Sequence, residues 1–155
     1  METQQLSQGA YNRLQAELDD LTTRGRITVA EKIERARELG DLSENGDYHA
    51  AKDEQGHMEG RIRQLEHLLE NAEIVEAPPP GTVGVGSVVS IVYEGDNDSD
   101  AERYLVGHIE EDAGGLEIVS PTAPLGAALV GAGVGEWVSY EAPSGELRVR
   151  VLAVD

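Results

Sequence analysis

From Tyr11 onward the apolar residues recur at spacings of three and four. Tyr11, Leu14, Leu18 and Leu21 form a narrow stripe, and Val29, Ile33 and Ala36 resume it. Such an a/d seam is the pattern of a coiled coil. The step from Leu21 to Val29 is eight residues where seven would keep register, and Thr22-Thr23-Arg24-Gly25 lies inside it. One extra residue beside a glycine predicts a local break or kink. The second stripe is unbroken: Tyr48, Ala51, Gln55, Met58, Ile62, Leu65 and Leu69. Two helices with one apolar stripe each, joined by a short turn, bury those stripes against one another as an antiparallel hairpin. Its second arm, Tyr48 to Glu70, is about 35 Å long at helical rise. Leu6-Ser7 reads as the start of the first helix, with Ser7 as cap.

The grammar changes after Ala77-Pro78-Pro79-Pro80-Gly81, a stiff linker that ends the helical pattern. Val88–Tyr93, Tyr104–Ile109, Leu116–Val119, Trp137–Glu141 and Leu147–Val154 read as strands, the last alternating Leu147, Val149 and Val151 with Arg148 and Arg150. Pro143-Ser144-Gly145 is a hairpin turn, and Pro124–Val130 a short helix with Gly131 beyond its end. The fold class expected is therefore α+β: an N-terminal antiparallel coiled-coil hairpin over residues 1–76, a linker over 77–84, and a small antiparallel β domain with one short helix over 85–155.

Composition narrows the chemistry. The 155 residues carry a net charge of −18 and no cysteine, which excludes disulfides and thiolate metal sites. No apolar run is long enough to span a membrane and no signal peptide opens the chain, so a cytoplasmic protein is expected. The acidity argues against free nucleic acid as the main partner. Residues 77–155 hold 3 Arg against 13 Asp+Glu, a net of −10, so most basic residues lie on the hairpin. Arg37 and Lys52 flank its turn.

That turn, Gly40-Asp41-Leu42-Ser43-Glu44-Asn45-Gly46-Asp47, is the stretch with chemical content. Asp41 and Glu44 are three apart. The pattern alone favours a capping box with Asp41 as cap. The other reading is a pair of hard oxygen ligands for Mg²⁺, too few to hold the ion unaided and suited to sharing it with another macromolecule. Elsewhere the signals are weak. Asp96–Asp100 begins like a calcium loop but has Ala101 at the sixth position and Gly107 at the twelfth. His49, His57, His67 and His108 show no metal spacing, the glycine clusters lack a phosphate-loop pattern, and Ser7, Ser43 and Ser120 have no evident base.

Gly40-Asp41-Leu42-Ser43-Glu44-Asn45, followed by Asp47-Tyr48-His49-Ala50-Ala51-Lys52, resembles the signature of the bacterial Gre transcript-cleavage factors, GreA type; Ser120-Pro121, Gly135-Glu136 and Pro143-Ser144-Gly145 extend the likeness in order along the chain. The resemblance implies a C-terminal domain similar to the FKBP fold and a monomer that binds bacterial RNA polymerase, the coiled coil entering the secondary channel. It implies that Asp41 and Glu44 act in the polymerase active site, helping to hold a catalytic Mg²⁺ there while backtracked RNA is cleaved. Ser43 and Asn45 would orient the turn, Arg37 and Lys52 would contact the extruded RNA 3′ end, and Ser120 and Pro121 would dock on the polymerase. Thr122, Pro124 and Gly46 depart from the family pattern. The runner-up function is a channel-binding factor that inhibits the polymerase without inducing cleavage. A proline isomerase is a third class; it needs an aromatic-lined pocket built from Tyr93, Tyr104, Trp137 and Tyr140.

Overall fold

A computed structural model describes residues 3–40 and 44–155. The chain divides into two compact units, Tyr11–Asn71 and the combination of Met1–Ala10 with Ala72–Asp155.

The helical unit contains most of α1 (Gln8–Asp20), then α2 (Arg26–Glu38) and α3 (Gly46–Glu70). Every expected seam position is buried or half-buried; Leu14, Val29, Ala36, Ala51, Ile62, Leu65 and Leu69 are the most enclosed. Ion pairs on the flanks set the register. Arg61 pairs with Glu17, Arg26 with Glu59 and Lys32 with Glu54, so rising numbers on one strand of the hairpin meet falling numbers on the other. The arms are antiparallel. The expected break is real: Leu21–Gly25 is a π-helical turn, which accommodates the extra residue without ending the helix. The Thr22 hydroxyl donates to the Leu18 carbonyl at 2.9 Å and the Thr23 hydroxyl to the Asp19 carbonyl at 2.7 Å, bonding carbonyls around the wider turn.

The second unit is built on five strands: β3 (Val88–Tyr93), β4 (Glu102–Val106), β5 (Glu117–Val119), β6 (Trp137–Ala142) and β7 (Gly145–Val154), in spatial order β5-β4-β3-β7-β6. Val89, Ile91, Val106, Val149 and Val151 point to one face and form a core with Val83, Leu129 and Ala132; helix α4 (Pro124–Leu129) contributes Leu129. The sheet is mostly antiparallel. The exception is β5, which runs parallel to β4 with Tyr104 opposite Glu117, a departure from the all-antiparallel expectation.

Two short strands were not expected. Gln4–Ser7 (β1) and Ala72–Val75 (β2) pair in parallel, Gln4 opposite Ala72. Leu6 is thus a buried strand residue and not part of the helix start, while Ser7 keeps the capping role, its Oγ accepting from the Ala10 N–H at 3.2 Å. The same serine donates to Glu111 from its N–H and its hydroxyl, at 3.1 and 2.9 Å. The strand expected to reach Ile109 stops at Val106. Residues 98–100 form a 3-10 turn closed by a reciprocal Asn97–Asp100 capping box, which accounts for the acidic loop without a metal.

Candidate functional site

Helix α2 ends just before the acidic turn. The Leu39 and Gly40 N–H groups donate back to the Ala36 and Arg37 carbonyls, and Gly40 has φ +120°, a left-handed value open to glycine. Asp41 and Ser43 lie outside the described residues. On the far side Glu44 is exposed, with no hydrogen bond or ion pair among the described residues.

Helix α3 starts at Gly46, and its cap is Asn45. The Asn45 Oδ1 accepts from the Tyr48 N–H at 3.0 Å, and its backbone carbonyl accepts from the His49 N–H at 3.1 Å. The expected Asp41–Glu44 capping box is therefore not what opens this helix. The competition among Asp41, Ser43 and Asn45 for the cap is decided by the residue adjacent to the first helical position. Asn45 also donates from Nδ2 to the Ala36 carbonyl at 2.5 Å. One half-buried amide thus closes the last turn of α2 and the first turn of α3 together. Glu44 is left out of capping, its carboxylate facing water.

A carboxylate with unused oxygens fits a hard cation such as Mg²⁺, yet one or two of them fall short of the ligands Mg²⁺ requires. Among the described residues no group of three or more His, Asp and Glu side chains could hold a metal. Arg37 near the end of α2 is exposed; so is Lys52 on α3, whose Nζ donates to Gln55 Oε1 at 2.9 Å.

Ser120 and Pro121 belong to the other unit, in the loop after β5. Ser120 is exposed and Pro121 half-buried. The Ser120 Oγ accepts from the Thr122 N–H at 3.2 Å and meets the Thr122 hydroxyl at 2.9 Å. Gly126 of α4 packs so closely on this loop that a Cβ there would lie 1.9 Å from the Ser120 carbonyl oxygen. Sequence reasoning missed Gly126, since a glycine inside a short helix carries no signal of what it touches.

The four aromatic residues proposed for an isomerase pocket are split. Tyr93 and Tyr140 face the core with their hydroxyls 2.9 Å apart. Trp137 lies three positions from Tyr140 on β6, hence on the opposite face, where Arg148 and Arg150 cover its ring at 5.2 and 5.7 Å. No helix of the described residues is long and apolar enough to cross a membrane.

Residues 4–74 match the family model for the N-terminal domain of transcription elongation factors, and residues 78–155 match that for the GreA/GreB C-terminal domain. The chain belongs to the GreA/GreB family of transcription elongation factors. Among named family members, transcription elongation factor GreA of Streptomyces avermitilis is 48% identical over 152 residues, covering 97% of this chain and 92% of the relative. GreA of Mycobacterium tuberculosis H37Rv is 50% identical over 143 residues, covering 90% and 86%. Among solved structures, the GreA factor homolog 1 protein of Thermus thermophilus aligns over 100% of this chain and 99% of its own, with 29% identity and a TM-score of 0.40. GreA/GreB membership thus rests on sequence along both units, and the gap between the two family models, residues 75–77, runs from the last residue of β2 to the triple proline.

Proposed function

We propose that this chain binds bacterial RNA polymerase, reaches into its secondary channel with the helical hairpin, and stimulates the polymerase's own cleavage of backtracked RNA. It is a stimulator and not itself an enzyme: the reacting bond and most of the ion ligands belong to the polymerase. The observation that carries the reading is Glu44, an exposed carboxylate with no partner among the described residues, in the turn between two antiparallel arms and within the Gly40–Asn45 stretch that resembles the Gre signature.

In this reading Asp41 and Glu44 supply oxygens to a Mg²⁺ shared with the polymerase. Such an ion, when bound, lowers the pKa of its water and stabilises the leaving oxygen of a phosphodiester. The chain's own work is placement. Asn45 bonds to both helices, so Glu44, its neighbour in the chain, is held next to a residue fixed to the end of α2 and the start of α3. Arg37 and Lys52 offer cations to the phosphates of the extruded RNA 3′ end. Ser120 and Pro121 dock the other unit on the polymerase. The protein acts as a monomer in the cytoplasm, where the polymerase works.

The test is RNA cleavage in stalled, backtracked elongation complexes. Wild-type protein should release short 3′ fragments and restart synthesis, and Asp41→Ala with Glu44→Ala should abolish the release. Cleavage that survives the double substitution overturns the role of the turn. Slower nucleotide addition with no fragments would identify an inhibitory channel factor instead.

A further inference from the structure

The turn that presents Glu44 also holds a chemically labile pair. The asparagines of the chain are Asn12, Asn45, Asn71 and Asn97, and only Asn45 is followed by glycine. The amide carbon of an asparagine and the backbone nitrogen of the next residue can close into a succinimide ring. Closure is easiest where the next residue is glycine, which has no Cβ to hinder the approach. Gly46 is exposed, and a Cβ added there would meet nothing within 4 Å, so no neighbour crowds it. As the first residue of α3, it has an N–H with no acceptor inside the helix.

The fold restrains this pair through the asparagine. Asn45 Oδ1 accepts from the Tyr48 N–H at 3.0 Å, and Nδ2 donates to the Ala36 carbonyl at 2.5 Å. Ring closure expels Nδ2 and re-aims Oδ1, so both bonds must open first. Together they hold the reactive open form down about 30-fold relative to an unrestrained turn.

We propose that Asn45 is a self-modifying site, which deamidates through Gly46 whenever the start of α3 opens and thereby releases the turn from α2. The Gly46 nitrogen, its proton taken by hydroxide, attacks Asn45 Cγ. The N–Cγ bond forms, the Cγ–Nδ2 bond breaks, and Nδ2 leaves as ammonia with a proton from water. A second water then opens the ring. Attack at Cγ gives aspartate with the original backbone; attack at the main-chain carbonyl gives isoaspartate, whose chain runs through the side-chain carbon. One water is consumed, one ammonia is released, and nothing is oxidised. Aspartate still accepts from Tyr48 but has no donor for Ala36, and it sets a second carboxylate directly beside Glu44. Isoaspartate also lengthens the backbone at the cap and loses the cap itself. The chemistry at Asn45 stands apart from the polymerase-binding reading; its effect on cleavage rests on that reading.

The experiment ages the purified full chain, folded and in denaturant, and maps its peptides by mass spectrometry with isoaspartate-specific fragmentation. Incubation of the folded chain lasts about 100 half-lives of the denatured one, beyond the protection of about 30-fold expected from the two bonds. Asn45 should be the first asparagine converted in both samples, and more slowly when folded. Gly46→Ala should block the conversion while α3 stays folded by circular dichroism, because its Cβ enters open space. A folded chain whose Asn45 survives the incubation, or which changes first at another asparagine, overturns the site. So does Gly46→Ala converting as fast as wild type. Equal rates folded and denatured overturn the restraint. In backtracked elongation complexes, aged wild type should lose cleavage stimulation in proportion to its isoaspartate, while aged Gly46→Ala matches its own fresh sample. Full activity in converted wild type overturns the release of the turn as a functional event. Fresh wild type that stimulates no cleavage refutes the functional reading and leaves the modification site standing.

Discussion

Asn45→Ala isolates the side chain that holds the turn. Two hydrogen bonds are lost, the cap to the Tyr48 N–H at 3.0 Å and the bond to the Ala36 carbonyl at 2.5 Å. An N-cap removed to alanine costs about 1 kcal/mol, and a second, half-buried hydrogen bond contributes about another 1 kcal/mol. Together they amount to about 2 kcal/mol of local stability, or about 30-fold in the opening equilibrium at the start of α3. Amide hydrogen exchange reads this directly: Tyr48, His49 and the next turn should exchange about 30-fold faster, while Ile62 and Leu65 change little. Asn45→Asp separates the two bonds. Aspartate keeps an acceptor for the Tyr48 N–H and is favourable at a helix N-terminus, but it has no donor for Ala36. It should recover roughly half of the loss on a logarithmic scale. Tyr48 exchange in Asn45→Ala within about twofold of wild type would refute the clamp, because both bonds would then be contributing nothing measurable.

Further outcomes follow from the second unit. Burial, and then the hydrogen bond to Tyr140, raises the Tyr93 phenol well above the usual tyrosine range; burial and then Glu102 do the same for Tyr104. A raised folded pKa means that this stability is complete below the unfolded value of about 10 and is lost as pH rises through the folded values. The unit should hold its fluorescence up to that pH and then unfold as tyrosinate absorbance appears, and Tyr93→Phe with Tyr104→Phe should flatten the alkaline limb. Gly126→Ala pushes a Cβ to within 1.9 Å of the Ser120 oxygen. It should cost about 1–3 kcal/mol as an overpacking substitution, read in thermal unfolding by Trp137, the single tryptophan of the chain; an unchanged melting temperature would contradict the close approach.

Much of this architecture is readable from the chain, and the exceptions have physical reasons. The seam of the hairpin and the strands β3 and β7 follow from periods of 3.5 and 2, which local spacing reports faithfully. The π turn was foreshadowed by eight residues between Leu21 and Val29. The β1–β2 pair was not, because four-residue strands beside helices show no alternation and their partners are distant in sequence. Parallel β4–β5 pairing was missed because β5 is only three residues long. Ile109 was assigned to a strand on β-propensity alone, and close packing at Gly107, where a Cβ would lie 2.9 Å from Glu111 Cγ, lies beyond what propensity reports. At the turn, Asp41, Ser43 and Asn45 are all capping residue types at alternate positions, and the spacing alone does not say which one caps. Trp137 and Tyr140 could have been separated by parity along β6, since residues three apart on a strand face opposite ways.

The most direct test of the central claim is the Mg²⁺ dependence of cleavage in backtracked complexes, comparing polymerase alone, with wild-type protein, and with Glu44→Gln. Wild type should lower the Mg²⁺ concentration needed for half-maximal cleavage; Glu44→Gln should return it toward that of polymerase alone while still competing with wild type for binding. A Glu44→Gln protein that binds and supports cleavage at the same Mg²⁺ concentration as wild type would contradict the account.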